Sequence, residues 1–274
     1  MKFFSFFLLG LVLAMPLLGC ASRPVMVAAT ASIPAPVGPA PEQNTLLAKL
    51  AAQEKAIRSV ESGSMLEVFY QGRHERLDLN FIVEKPTKAT FELTGPTGML
   101  AALTSDGREF RYYDIRNGHY VFGPLGPKSL SVILPWTVRA EELIPLLCAT
   151  PLGVEGPSGA PIWDTKEGRW KIERKSAKGG WAQTLWFDEE GHLMRAEVWG
   201  PELKPRYTVT YLNWRKVGSE GLEFPVFIKL HHVESDAKLN LRLRGEPVLN
   251  AAHDPEFFRL PFKEGIPKDY VPAE

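Results

Sequence analysis

Hydrophobic and polar residues alternate with a period of two along most of this chain. The alternation runs through Leu66–Tyr70 and, after a Gln71-Gly72 turn, through Leu77–Val83. Such alternation is typical of strands with one buried face. Asp106-Gly107 and Asn117-Gly118 are dipeptides that favour two-residue hairpins. The pattern therefore predicts an antiparallel meander in the first half of the chain.

Helical spacing of apolar residues marks three other segments. Asn44–Val60 precedes the strands, with Asn44 as a good N-cap, while Ser129–Trp136 and Val138–Cys148 interrupt them. Pro135 and Pro145 limit the two later segments to a few turns. Strands resume in seven runs rich in β-branched and aromatic residues, namely Ile162–Asp164, Trp170–Arg174, Trp181–Phe187, Leu193–Trp199, Tyr207–Trp214, Phe224–His232 and Lys238–Leu243.

The number of strands constrains the fold class. Roughly eleven to thirteen strands are too many for an open sheet that does not curl. We therefore predict a mainly β protein with short helices, built as one curved or barrel-like sheet that helices cover. No Gly-, Pro- or Ser-rich break divides the chain after its N-terminal region, so a single domain over residues 44–274 is expected.

The N-terminus has the pattern of a bacterial lipoprotein signal peptide over residues 1–19. Lys2 precedes an apolar run, Phe3–Leu18, and the run closes on Leu17-Leu18-Gly19-Cys20. This lipobox predicts that cleavage leaves Cys20 as an acylated first residue. The alternative is an ordinary cleaved signal in which Cys20 is incidental.

Residues 20–43 read as a lipidated cysteine followed by a tether rich in Pro and Ala. Its prolines oppose a helix, and its few large side chains oppose a core. Several acyl chains on Cys20 would anchor the chain stably to a bilayer, since one chain alone holds only marginally. Ala21 follows the cysteine where an aspartate would retain an enterobacterial lipoprotein in the inner membrane. Under that sorting code the expected location is the outer membrane.

Charge and motifs exclude several function classes. The 32 basic and 32 acidic residues balance, which argues against nucleic acid as the main partner. Cys20 and Cys148 are the two cysteines, so acylation of the first leaves no internal disulfide.

The sequence has no Gly-x-Ser-x-Gly elbow, phosphate-binding glycine loop or His-Glu-x-x-His motif. Its histidines near turns, His74, His119, His192 and His253, are expected to be solvated. We predict no catalytic residue, metal site or cofactor, and a binding module in preference to an enzyme.

The order of elements, with Phe91–Gly98, Leu134–Gly153 and the strands from Tyr207 to Leu243, resembles the LolA/LolB superfamily of lipoprotein carriers. The lipobox makes the chain most similar to the LolB family of outer-membrane lipoprotein receptors. The resemblance implies an unclosed antiparallel barrel with a helical lid. It also implies an apolar interior for the acyl chains of lipoproteins, a periplasmic LolA-like donor, a domain facing the periplasm and a monomer. An alternative is a LolB-like envelope sensor or scaffold that delivers no cargo.

Two sets of candidate residues follow from pattern and resemblance together. The apolar faces of consecutive strands and the helical segments supply the expected lipid-binding cavity: Leu66, Leu77, Leu79, Phe81, Phe91, Leu93, Leu134, Trp136, Leu143 and Leu147. The resemblance implies a membrane-insertion loop at Pro96, Thr97, Gly98, Met99 and Leu100. LolB proteins carry a protruding leucine in the slot that Thr97 occupies here. Met99 or Leu100 could supply the apolar tip instead, or could simply begin the next strand.

Overall fold

The computed structural model describes residues 32–126, 129–132, 134, 136, 138–151, 156–176, 180–200 and 204–272. The predicted signal peptide, Cys20 and most of the tether lie outside these residues, as do Ile133 and Pro135. From Ile33 onwards the described residues form one compact unit. No helix in this part of the chain combines the length and the hydrophobicity needed to cross a membrane.

Fourteen strands in the described residues form a single sheet. In chain order they are β1 Ser59–Tyr70, β2 Arg73–Glu84, β3 Lys88–Gly95, β4 Gly98–Asp106, β5 Glu109–Asp114, β6 His119–Pro124, β7 Ile162–Asp164, β8 Arg169–Lys175, β9 Ala182–Phe187, β10 Leu193–Trp199, β11 Pro205–Val217, β12 Leu222–His232, β13 Ala237–Leu249 and β14 Lys268–Tyr270.

The sheet is open, with order β14-β6-β5-β4-β3-β2-β1-β13-β12-β11-β10-β9-β8-β7. All neighbouring strands pair antiparallel except β14, which runs parallel to β6. Among the described strands, β14 and β7 are the two edges and do not pair with each other, so the sheet does not close into a barrel. The prediction of a mainly β, unclosed antiparallel sheet is confirmed.

Helix α1 spans Gln43–Ala56 and ends earlier than the sequence pattern predicted. A distant residue satisfies its last carbonyl group, because Asn250 donates from Nδ2 to the Ala56 carbonyl oxygen at 2.7 Å. The same side chain accepts a hydrogen bond from the Arg58 amide at 2.7 Å. Ile57 follows the helix and Val60 belongs to β1, although both fit a helical stripe. The helix boundary is thus set by a tertiary contact.

The segment between β6 and β7 holds a short 3₁₀ helix, Leu130–Val132, and helix α2, Ala140–Leu147. Their positions agree with the two predicted helical segments, although both elements are shorter than predicted. Pro145 lies inside α2 near its C-terminal end. Another 3₁₀ helix, Pro255–Phe258, follows the last long strand.

The hydrophobic core lies between the inner face of the sheet and the helices. The inner residues of neighbouring strands stand opposite one another, as in the pairs Leu66–Leu77 and Phe81–Phe91. Leu46 of α1 and Leu143 of α2 are buried against the same core. Cys148 is also fully buried and packs as a small core residue. Its burial raises the pKa of the thiol to about 12, despite the opposing charge of Lys85, so the thiol is protonated at neutral pH.

Candidate functional site: an apolar cavity beneath helix α2

An apolar cavity of about 280 Å³ lies between the inner face of the sheet and the segment that contains α2. Its lining comes from both halves of the sheet and from the covering segment: Leu66, Val68, Glu75, Leu77, Leu79, Phe91, Leu93, Tyr112, Val132, Leu134, Leu143, Leu146, Leu147, Val209, Ile228, Leu230, Leu239 and Leu241. Sixteen of these eighteen residues are aliphatic or phenylalanine. A cavity of this composition excludes water and favours apolar ligands.

Strand register explains why the cavity wall is continuous. Leu66 in β1 stands opposite Leu77 in β2 and opposite Leu241 in β13. The row continues from Leu241 to Ile228 in β12 and from there to Tyr211 in β11. Because the side chains of paired residues share a face of the sheet, this row forms a band of largely apolar groups across five strands.

Helix α2 supplies the opposite wall through Leu143, Leu146 and Leu147. The Tyr211 hydroxyl, buried in the sheet, donates a hydrogen bond to the Leu146 carbonyl oxygen at 3.1 Å. At the other end of the helix, Glu142 accepts from the Arg139 amide at 3.3 Å and lies 3.5 Å from the Arg206 guanidinium. These contacts fix α2 over the cavity at both of its ends.

The structure brings eight of the ten predicted cavity residues to the lining. They are Leu66, Leu77, Leu79, Phe91, Leu93, Leu134, Leu143 and Leu147. Phe81 and Trp136 are not among the lining residues. Phe81 is buried deeper along the sheet, opposite Phe91, while Trp136 stacks on His232 with ring centroids 5.4 Å apart. Both residues therefore lie in the packed core around the cavity and outside its lining.

The sequence interpretation missed the wall formed by the later strands. Val209, Ile228, Leu230, Leu239 and Leu241 all line the cavity. Their alternation in β11, β12 and β13 was visible, but alternation alone does not tell which of many strands face a ligand and which face packed core. The pairing of β13 with β1 decides it, and this pairing joins residues far apart in the sequence.

One charged residue, Glu75, is found among the lining residues of the described chain. It lies where the cavity meets an open groove of about 300 Å³ lined by Val68, Tyr70, Arg73, Glu75, Ser131, Val132 and Leu134. Four of these residues also line the cavity, so the groove forms its mouth. Burial raises the pKa of Tyr112 on the cavity wall, aided by the Asp114 charge and opposed by Arg116, so its hydroxyl stays neutral at physiological pH.

The predicted insertion loop forms the tight hairpin between β3 and β4. Gly95 pairs with Gly98, and Pro96 and Thr97 form its exposed tip. Gly98 has φ of 111°, a backbone conformation that favours glycine.

Met99 and Leu100 differ in environment within this loop. Met99 is 44 % exposed. Leu100 lies between the paired residues Met99 and Ala101, where the strand register shifts, and packs over Gly95. Met99 is therefore the apolar side chain that the loop presents to its surroundings.

His192 and His253 are less solvated than predicted, whereas the His74 side chain is 52 % exposed, as predicted. The His192 side chain is 13 % exposed, and its Nδ1 and Nε2 lie 2.9 Å from Asp188 and 3.0 Å from Glu223. Lys49 of α1 approaches the same Glu223 at 3.3 Å. Burial opposes ionisation of Glu223, but the His192 and Lys49 contacts outweigh it and lower the pKa of this carboxyl.

Asp188, Glu190 and His192 could together offer ligands to a metal ion. However, the His192 nitrogens already face carboxylates, and Lys49 also donates to the Glu190 carbonyl oxygen at 2.7 Å. The cluster is therefore best understood as a set of polar contacts through which Lys49 holds α1 to the sheet. His253 is similarly enclosed, with its side chain 6 % exposed and Nε2 3.0 Å from Glu61.

No family model matches the sequence, and a search of curated proteins gives no match. Solved structures do match. A DUF1329 family protein from Desulfovibrio piger has a TM-score of 0.54 at 8 % identity, over 79 % of this chain and 95 % of that one. A domain described as an outer membrane lipoprotein-sorting protein, from Vibrio parahaemolyticus, has a TM-score of 0.51 at 7 % identity, over 78 % and 94 %.

A LolA superfamily protein from Nitrosomonas europaea matches more weakly, with a TM-score of 0.47 at 12 % identity, over 77 % of this chain and 97 % of that chain. The first two matches share less than 10 % of their residues with this chain, so they show a similar fold and nothing more. The fold of this chain is therefore similar to the folds of the first two proteins.

Proposed function

We propose that this protein is a membrane-anchored, LolB-like lipoprotein receptor, which takes acyl chains of lipoproteins into its cavity and passes them to the outer membrane. The observation that carries the proposal is the apolar cavity between the inner face of the sheet and α2. The fold shared with a domain described as lipoprotein-sorting supports it.

The chemistry of the cavity accounts for binding and release without an energy source. Each methylene that leaves water for an apolar site gains about 0.8 kcal/mol, and a bilayer offers a similar gain. An acyl chain can therefore pass from a carrier to the cavity and then to the membrane with small free-energy differences at each step. No nucleotide or cofactor is part of this proposal.

Anchoring through Cys20 would hold the domain within reach of its target membrane. We propose that the acylated Cys20 and the tether over residues 20–43 place the domain in the periplasm, at the outer membrane, where a LolA-like carrier can deliver cargo. Cys20→Ala should then move the protein from the membrane pellet to the soluble periplasmic fraction with its fold unchanged by circular dichroism. Retention of this variant in the pellet would contradict the anchoring proposal.

Co-purifying lipid gives the direct test of carriage. The full-length chain with Cys20→Ala is purified without detergent, and bound lipid is extracted and identified by mass spectrometry. We expect acyl lipid in the cavity of this protein and a clear loss of it when Phe91→Glu is added and the chain remains folded. A Cys20→Ala protein that is empty and takes up no added acyl chain would favour a sensor or scaffold.

A further inference from the structure

Arg73 and Glu75 lie together at the mouth of the cavity and have no partner within the described residues. Both are in β2, two residues apart, and they stand opposite Tyr70 and Val68 of β1. Both line the groove that opens from the cavity. Among the described residues neither side chain makes an ion pair or a hydrogen bond, either with the other or with a third residue.

The strand that carries this pair is open on one side. Pairing between β2 and β3 begins at Asp78, which stands opposite Thr94. Residues 73–77 of β2 therefore have β1 as their single strand neighbour. The two charges stand on a projecting hairpin, next to the point where Leu77 begins the apolar wall.

Strand geometry separates this pair from the other charges of the hairpin. Alternate residues of a strand share a face, so Arg73, Glu75 and Leu77 lie on the cavity side, whereas His74 and Arg76 lie on the outer side. His74 stacks on Phe69 with ring centroids 4.3 Å apart, and it lies 3.8 Å from Glu67. The outer charges are thus part of an ordinary solvated face, and the inner pair borders apolar surface.

The size of the cavity limits how much of a lipid it can hold. Its volume of about 280 Å³ lies just below the range of about 300–1,000 Å³ for ligand pockets. Such a cavity suits one acyl chain, and the adjoining groove suits the polar part of the same molecule. Arg73 and Glu75 are two residues apart in the strand, so their Cα atoms are about 6.6 Å apart. A cation beside an anion suits a head group that carries both a phosphate and an ammonium.

We propose that the cavity and groove together bind a zwitterionic phospholipid of the phosphoethanolamine type, with one acyl chain in the cavity, its phosphate at Arg73 and its ammonium at Glu75. The inference rests on the proposed acyl-binding function and adds a second cargo to it. Phospholipid exchange with the bilayer would then keep the apolar cavity filled between deliveries of lipoprotein.

The test compares three ligands that share an oleoyl chain and differ in their head group. Lysophosphatidylethanolamine, lysophosphatidylglycerol and monoolein are titrated into the full-length Cys20→Ala protein by calorimetry, below their micelle concentrations. We expect the ethanolamine lipid to bind about fivefold more tightly than the glycerol lipid, the effect of one favourable charge contact. Glu75→Gln should remove this preference, so that the ratio of the two phospholipid affinities, measured on the same variant, falls from about five to about one.

Arg73→Gln should weaken both phospholipids about fivefold relative to monoolein, because they share the phosphate. Arg76→Gln is the matched control, with the same charge change on the outer face of the same strand, and it should alter none of the three affinities. Equal binding of the two phospholipids, or an equal effect of Arg76→Gln and Arg73→Gln, would overturn the head-group proposal while acyl binding stands. Failure of all three ligands to bind would overturn the acyl-binding function itself.

Discussion

Tyr211 in β11 donates its hydroxyl hydrogen to the carbonyl oxygen of Leu146 in α2, across a distance of 3.1 Å. The tyrosine is fully buried, and Leu146 lines the cavity. This bond joins the sheet wall to the covering helix at the point where the two enclose apolar space. Burial raises the pKa of Tyr211, aided by the neighbouring Tyr207 and Cys148, so the hydroxyl remains a donor at physiological pH.

The first prediction tests that link. Tyr211→Phe should lower the free energy of unfolding by about 1 kcal/mol, the net effect of one hydrogen bond in a buried setting. Tyr207 is a matched control, because it shares the strand and the face, is buried, and its hydroxyl has no hydrogen-bond partner among the described residues. Tyr207→Phe should leave stability unchanged or raise it slightly. Urea unfolding of both variants measures these changes. An equal loss of unfolding free energy in the two variants would mean that the Tyr211 hydrogen bond has no special role.

The second prediction concerns the cavity as a binding space. Leu77 is half-buried and lines the cavity, so Leu77→Trp should fill part of it and lower the affinity for an acyl ligand about tenfold. Stability should hold or rise, since filling a cavity adds contacts. Ile82→Trp adds the same bulk on the outer face of β2 and serves as the control. An unchanged affinity of Leu77→Trp for a fluorescent fatty acid would show that ligand binds elsewhere.

Local sequence pattern is enough to predict the strands of this protein, but not the boundaries that tertiary contacts set. The strands around Leu66 and Leu77 were predictable, because period-two alternation is a local signal of a sheet with one buried face. The end of α1 was not, because Asn250 caps it from the far end of the chain. Strand β14 was missed as well, since its three residues are all exposed and show no alternation.

The same contrast applies to the candidate site. Eight cavity residues could be named because each lies on the apolar face of its own element. Trp136 could not be placed, because its neighbour is His232, nearly one hundred residues later. Glu75 was missed because a charged residue at an alternating position resembles an ordinary surface residue until the adjoining groove is seen.

The third prediction concerns pH. Burial lowers the pKa of His232, and the charges of Arg206 and His231 act in the same direction, while Glu234 and Glu142 oppose them. The unfolded chain, with an ordinary histidine pKa of 6.5, therefore binds more protons than the folded chain between the two pKa values. The stability associated with neutral His232 is present above pH 6.5 and is lost as the pH falls through the folded pKa.

A phenylalanine at this position retains a ring against Trp136 and cannot take up a proton. The wild type should therefore lose stability relative to His232→Phe as the pH falls from 8 to 5. Above about pH 7 the difference between their free energies of unfolding should be constant. Urea midpoints measured across this range provide the check. If the difference in free energy of unfolding stays constant down to pH 5, protonation of His232 is not coupled to folding.

The last prediction concerns the hairpin between β3 and β4, where family resemblance and local chemistry point to different side chains. The resemblance implies an apolar residue at the tip, but Thr97 offers a single methyl group there. The structure packs Leu100 over Gly95 and leaves Met99 44 % exposed, so Met99 is the side chain available to enter a bilayer. Pro96 and Gly98 hold the turn, so changing residue 97 should alter what the tip presents without altering the turn.

Thr97→Leu should therefore increase the rate at which bound acyl cargo passes to liposomes, while Met99→Glu should decrease it, because a carboxylate opposes entry into hydrocarbon. Neither substitution should change the affinity for cargo, since both residues lie outside the cavity lining. Val248→Glu is a suitable control: it places a carboxylate at another exposed apolar residue, on β13, and should leave transfer unchanged. If both loop variants transfer cargo at the wild-type rate, this hairpin is not the inserting element, and the protein binds lipid without delivering it through this loop.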